Sequence, residues 1–195
     1  MGQPRTTKET EIMPDYLQLW EGKRGADAHV KCIGIRGAFD LSGANQLGVY
    51  DDDIVLCIGN DVTEWKGSTD PGQYYIQHPE NPQGCAQLKE GIHMFKLGVH
   101  QGKFLAFVQA ESFHVNRLDR NGKIESVEFW EFGIHLHSGG PGINVDRFSA
   151  ECQIISSESY FGQTWHRFFD PAAAAMHTAQ QSLMPYMLID EKDLT

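Results

Sequence analysis

A chain of 195 residues is long enough for one sizeable core, and with 41% hydrophobic residues and a mean hydropathy of −0.40 its composition matches a single soluble globular domain. A formal net charge of −10 and a pI near 5.3 weigh against a nucleic-acid partner, because a phosphate backbone would be repelled. The same charge gives no long-range attraction to anionic polymers, so the acidity points to a specific pocket. No stretch approaches the roughly 20 apolar residues of a membrane span, and the first residues lack the apolar core of a signal peptide.

Taken in chain order, residues 1–12 are polar and expected to be loose. Pro14 suits the first turn of a short helix through Tyr16, Leu17, Leu19 and Trp20 that ends near Gly22. This N-terminal extension, residues 1–29, precedes a domain spanning residues 30–195. Strands are predicted at 30–35 and 53–58, separated by a loop around Gly43; Cys32 and Cys57 lie in these apolar runs and read as buried thiols. The four cysteines form no C-x-x-C pair. Asp51, Asp52 and Asp53 lack the alternating oxygen ligands of a calcium loop, and read as a solvated turn entering the second strand. Gly59, Asn60 and Asp61 turn the chain into a strand ending at Trp65, and 81–84 is loop. Strands at 94–97 and 103–109 flank His100, Gln101 and Gly102, which have hairpin chemistry. Phe113–Leu118 and Ile124–Trp130 flank a turn containing Asn121-Gly122, the strongest hairpin signal in the chain. Near the C-terminus, Asp170 is expected to cap a helix with Pro171 at its first position, continuing through the alanines at 172–175 and stopped by Pro185. Many short strands and one late helix predict a mainly β fold.

The most informative segment is residues 133–155, GIHLHSGGPGINVDRFSAECQII. Its period-two alternation puts His135 and His137 on one face of a strand. The chain then turns through Gly139, Gly140, Pro141 and Gly142, and the loop is long enough to return Cys152 beside an imidazole. A thiol needs such a neighbour, because the thiolate is the nucleophile and an unperturbed thiol is mostly protonated at neutral pH. A metal reading competes: two histidines at i and i+2 can reach one zinc, with Cys152, His100 or His114 as third ligand, although none has a diagnostic spacing. Lys96 reads as a strand cation near the cleft, and His100 as a turn residue able to project into it. Trp165 and His166 could flank a groove, whereas Trp165, Phe168 and Phe169 together read as core.

The segment resembles the catalytic motif of the YkuD-type L,D-transpeptidases, in which a histidine followed by Gly or Ser precedes an S-x-G-C segment. His137 and Ser138 match the base and the small residue after it, Ser149 matches the serine, and Cys152 the nucleophile. Cys152-Gln153 matches the G-C-Q of an uncharacterised bacterial and phage branch, and Glu151 departs from its glycine. The stretches GVYDDDIV around Tyr50, STDPGQY from Ser68 and LKEGIHMFKLGVHQGKFLAFVQA from Leu88 extend the likeness over roughly residues 30 to 190.

The resemblance implies a single mainly β domain of the L,D-transpeptidase type with short helices at its ends. It also implies cysteine-dependent acyl transfer or hydrolysis on peptidoglycan stem peptides. Cys152 would be the nucleophile, His137 its base and Ser138 the residue orienting it. Backbone N–H groups near Cys152 would bind the oxyanion, and His135, Ser149, Gln153, His100 and Lys96 would contact substrate. No cofactor and no metal are implied. Without a signal peptide the chain is expected to be made in the cytoplasm and to reach the cell wall or periplasm after lysis, by dedicated export, or within a phage-like particle. The alternatives are a lapsed enzyme acting as a peptidoglycan-binding or structural component of such a particle, and a metal-dependent hydrolase using His135 and His137. At Glu151 a left-handed backbone would be strained, and its carboxylate would oppose a thiolate.

Overall fold

The chain closes a circuit of strands, and a late helix packs one face against its core. The computed structural model describes residues 5–6, 15–38 and 45–194. The elements in order are β1 (Arg5–Thr6), α1 (Asp15–Gln18), β2 (Val30–Arg36), β3 (Asp52–Ile58), β4 (Asp61–Ser68), α2 (Gln73–Gln77), β5 (Cys85–Leu88), β6 (Gly91–His100), β7 (Phe104–Gln109), β8 (Phe113–Leu118), β9 (Ile124–Trp130), β10 (Leu136–Ser138), β11 (Gln153–Ile155), α3 (Gln163–Thr178) and β12 (Met184–Asp190), followed by a 3-10 turn at Glu191–Leu194. The protein is mainly β, as its turn-punctuated apolar runs predict. Pro14, residues 1–4 and 7–12, and the loop around Gly43 lie outside the described residues.

Hydrogen bonding orders the large sheet β1-β4-β11-β10-β7-β6-β12-β2-β3, and β3 also pairs with β4. One edge of β4 runs antiparallel to β3, while the other carries β1 at Thr63 and Glu64 and β11 at Gly67 and Ser68. The strands from β4 round to β3 therefore close on one another and leave few unpaired edges. A second, antiparallel sheet, β5-β8-β9, contributes Ala86, Leu88, Phe113 and Val115 to the same core.

Strands β2 and β3 are buried on both faces because each face has its own cover. Val30, Cys32, Ile54 and Leu56 point into the main core, whereas Ile33, Ile35, Val55 and Cys57 pack against Tyr16 and Trp20 of the N-terminal extension. Both cysteines are buried thiols, as their apolar surroundings predict.

The late helix departs from expectation. It begins at Gln163, not Asp170, so Pro171 lies in its interior, and it ends at Thr178, well before Pro185. An interior proline costs about 3 kcal/mol, but burying each large apolar side chain returns roughly 1.5–3 kcal/mol. Trp165, Phe168, Phe169, Ala172 and Met176 follow helical spacing and face the core, where Phe169 lies 5.0 Å from Phe107 and Phe168 6.0 Å from Trp65, centroid to centroid. Tertiary burial outweighs the local signal. Trp165 is accordingly core, while His166 is exposed beside Asp170. Pro185 belongs to β12, a strand that sequence alternation does not reveal because it lies between β2 and β6 and is buried on both faces.

The acidic run is also different from its reading as a solvated turn. Asp51 and Asp52 are buried, and only Asp53 is partly accessible. The Asp52 carboxylate accepts hydrogen bonds from the backbone N–H groups of Gly37 and Thr69, tying the end of β2 to the segment after β4. The Arg36 guanidinium, itself buried, pairs with Asp70 at 3.2 Å and Glu90 at 2.7 Å in the same region. Removing one carboxylate here strands two buried donors. Asp52→Ala is expected to destabilise the fold by about 2–4 kcal/mol in urea titrations; a loss within experimental error would show that the carboxylate does not organise this junction.

Candidate active site

Two strands of three residues each build the site. β10 and β11 are parallel neighbours, with Leu136 opposite Gln153, His137 opposite Ile154 and Ser138 opposite Ile155. Residues opposite one another share a face, and so do residues two apart, so Cys152 joins Ile154 and His137 on the outer face. Leu136 and Gln153 turn the other way.

The connecting loop is held by close packing. The Tyr50 hydroxyl accepts the Gly140 N–H at 2.8 Å, and the Gly139 N–H donates to the Ile155 carbonyl at 2.8 Å. A Cβ at Gly139 would lie 2.4 Å from the Tyr50 hydroxyl, and one at Gly140 only 2.0 Å from the Phe148 ring. The two glycines are thus required by the approach of two aromatic rings. Ser149 closes the loop by donating from Oγ to the Cys152 carbonyl at 2.7 Å.

Around the sulfur, His137 Nδ1 lies 2.7 Å from the Ser138 carbonyl oxygen. A carbonyl can only accept, so Nδ1 carries the proton and Nε2 holds a free lone pair. Ser138 therefore orients His137 through its backbone, while its Oγ donates to the Ser159 carbonyl at 2.8 Å. His100, at the end of β6, places its ring centroid 4.2 Å from that of His137, and its Nδ1 is 2.8 Å from His135 Nδ1. One ring nitrogen each of His100 and His137 and the Cys152 sulfur all lie within 4.8 Å of one another. These three side chains line a cleft of about 510 Å³ with aromatic walls that include Tyr75, Phe104, Phe148 and Tyr160, and with Lys103 and Arg147 at its margin.

Burial governs the charge state. It pushes the Cys152 thiol up to about 12, with the His135 N–H, 3.4 Å from the sulfur, partly opposing it and the Glu151 charge adding to it. Burial, followed by the neighbouring His100, takes His137 down to about 3. Burial and His135 take His100 down to about 4, and burial lowers His135 as well. At neutral pH the cluster is a thiol among neutral imidazoles, not a thiolate–imidazolium pair.

The structure gathers Cys152, His137, Ser138, His100 and His135, but engages other predicted contact residues elsewhere. Gln153 is fully buried, donating to the Thr69 carbonyl and accepting from the Tyr186 hydroxyl, and the Ser149 hydroxyl is taken by the loop. Lys96 is exposed and lines a separate depression with Glu131 and one side of His135. The Gln153 N–H, an expected oxyanion donor, is bonded to the His135 carbonyl at 2.9 Å. His114 stacks on Phe129 away from the cluster. Of the expected zinc pair, His137 belongs to the close trio, and His100 takes the place of His135. Glu151 does not take the left-handed backbone that would strain it: positive φ among described non-glycine residues falls at Gln101, Asp146 and Gln180, and the Glu151 carboxylate faces the Arg117 guanidinium at 3.6 Å. The roles of Tyr50, Phe148 and Phe104 carry no local sequence signal: Phe104 opens β7 and reads as a core aromatic, and Tyr50 and Phe148 lie outside the strands and reach the site only through long-range packing.

No family model matches the chain, and neither a curated protein nor a solved structure does.

Because the thiol is raised, the thiolate fraction is very small at neutral pH and grows about tenfold with each pH unit. Alkylation of Cys152 should therefore climb steadily from neutral pH to about pH 10 without the acidic plateau of an ion pair. Glu151→Gln, which removes a charge opposing the thiolate, should increase the rate at fixed pH. A plateau near neutrality, or a slower Gln variant, would contradict this electrostatic account.

Proposed function

We propose that the cleft performs cysteine-dependent acyl transfer or hydrolysis on peptidoglycan stem peptides. The observation that carries the reading is the placement of the Cys152 sulfur within 4.8 Å of a His137 ring nitrogen, on one strand face and in a solvent-open cleft. The motif likeness to YkuD-type L,D-transpeptidases supports the substrate class.

With both groups neutral, attack and proton transfer belong to one event. The sulfur adds to the peptide carbonyl carbon as its proton passes to His137 Nε2, so the imidazole acts as general base instead of resting as imidazolium. The tetrahedral intermediate then expels the amine, which takes the proton back from His137, leaving a thioester on Cys152. An incoming amine gives a cross-link and water gives hydrolysis; either regenerates the thiol. Ser138 keeps the base in its productive tautomer through its carbonyl, and no cofactor enters these steps.

The depth of the thiol, 7% exposed, favours a second reading: a binding or assembly component that kept the pocket without turnover, as a phage-like particle could use. No described helix is long and apolar enough to cross a membrane, and access to the wall is proposed to follow lysis or dedicated export.

Incubation with purified peptidoglycan and mass analysis of the products separates these readings. Turnover should be abolished to a similar extent by Cys152→Ala and His137→Ala, because members of one catalytic unit are not additive. His135→Ala should act more on binding or stability. Retention of stem peptides without new products would establish the binding component instead, and turnover surviving Cys152→Ala would end the thiol reading.

A further inference from the structure

We infer that His100, His137 and Cys152 form a binding site for one zinc-class divalent ion, with its remaining position open to the cleft. The chemistry of the donors selects the metal. Two imidazoles and a thiolate suit zinc and its transition-metal neighbours, and do not suit calcium or magnesium, which take oxygen ligands. The donor atoms already lie within 4.8 Å of one another. A tetrahedral ion with bonds of about 2.0–2.3 Å needs ligands roughly 3.3–3.8 Å apart, so side-chain adjustments of about 1 Å close the site.

The surrounding hydrogen bonds point the same way. A metal-bound histidine almost always engages its other ring nitrogen with a carbonyl, carboxylate or water, which fixes ring and tautomer. His137 does so through Nδ1 and the Ser138 carbonyl at 2.7 Å, and His100 through Nδ1 and His135 at 2.8 Å. Both rings are left with Nε2 for the ion, and His135 becomes a supporting partner instead of a ligand. Three protein ligands and an open fourth position match catalytic zinc sites more closely than closed structural ones. As the sulfur–metal bond forms, the thiol proton leaves to solvent; each imidazole contributes only a lone pair. The bound ion occupies both the nucleophile and the base assigned to acyl transfer, so loading silences thiol chemistry.

The full chain, freed of metal by a chelator and kept reduced, is titrated with cobalt(II) as a spectroscopic stand-in and then with zinc. The expected result is a near-ultraviolet sulfur-to-cobalt charge-transfer band saturating at one ion per chain, with visible bands of a four-coordinate site, both abolished by zinc and unaffected by calcium or magnesium. Zinc should also protect Cys152 from alkylation. Cys152→Ser should remove the charge-transfer band. His100→Ala and His137→Ala should each weaken binding at least tenfold, and His135→Ala by roughly 10–100-fold as an outer partner. His114→Ala serves as the unchanged control. Absence of the band in the unaltered protein at saturating cobalt overturns the site without recourse to any variant, as does a band that persists in Cys152→Ser or binding indifferent to both histidine changes. Peptidoglycan turnover by the chelated protein is measured in parallel, so failure of the metal site and failure of the thiol reading are told apart.

Discussion

Three residues of parallel pairing, Leu136–Ser138 against Gln153–Ile155, hold the candidate site together. The register places His137 and Cys152 on one face and sends Gln153 to the other. A slip of one residue would exchange those faces, removing the sulfur from the imidazole. The pairing is braced on both sides, by β7 at Leu136 and by β4 at Ile154 and Ile155, and beneath by Gln153 between the Thr69 carbonyl and the Tyr186 hydroxyl. Gly34 leaves room for that hydroxyl: a Cβ there would lie 1.9 Å from it.

Burial gives the site its character. The circuit of strands and the aromatic walls withdraw three histidines and a thiol from water, and each group responds by favouring its neutral form. Neutral imidazoles and a thiol suit two chemistries, general-base-assisted attack and coordination of a soft ion, and both use the lone pair that the Ser138 carbonyl leaves on His137 Nε2. The same side chains therefore support the acyl-transfer proposal and the metal proposal, and occupancy by an ion would exclude attack.

The core beneath the site shows how tertiary burial overrides local preference. Pro171 within α3 is tolerated because Trp165, Phe168, Phe169 and Met176 on one helix face fill the interior of the strand circuit. Asp52 is tolerated at a buried strand start because two backbone N–H groups converge on its carboxylate. Both positions read locally as surface features, a helix start and a solvated turn; Pro171 instead lies within the helix on its exposed side, and Asp52 is buried and structural.

By itself the sequence determined the strands whose signals are local: the Asn121-Gly122 hairpin with its flanking strands, the runs of β2 and β3, and the pairing of β6 with β7 around His100. It also determined the order His137, glycine loop, Cys152, since the loop is long enough to return the cysteine to the imidazole; the Tyr50–Gly140 contact that holds this loop, 90 positions apart in the chain, belongs to the tertiary structure. Only the tertiary structure decided that His100 joins the cluster from a distant hairpin, that Gln153 faces inward, that Lys96 stands apart, and that Glu151 meets Arg117. It also placed β12 between β2 and β6, where burial on both faces erases the alternation that marks a strand. The reason is common to all of these: side-chain periodicity reports a face relative to its own strand, whereas which residues meet across that face depends on strand order, and strand order is set by long-range pairing and burial.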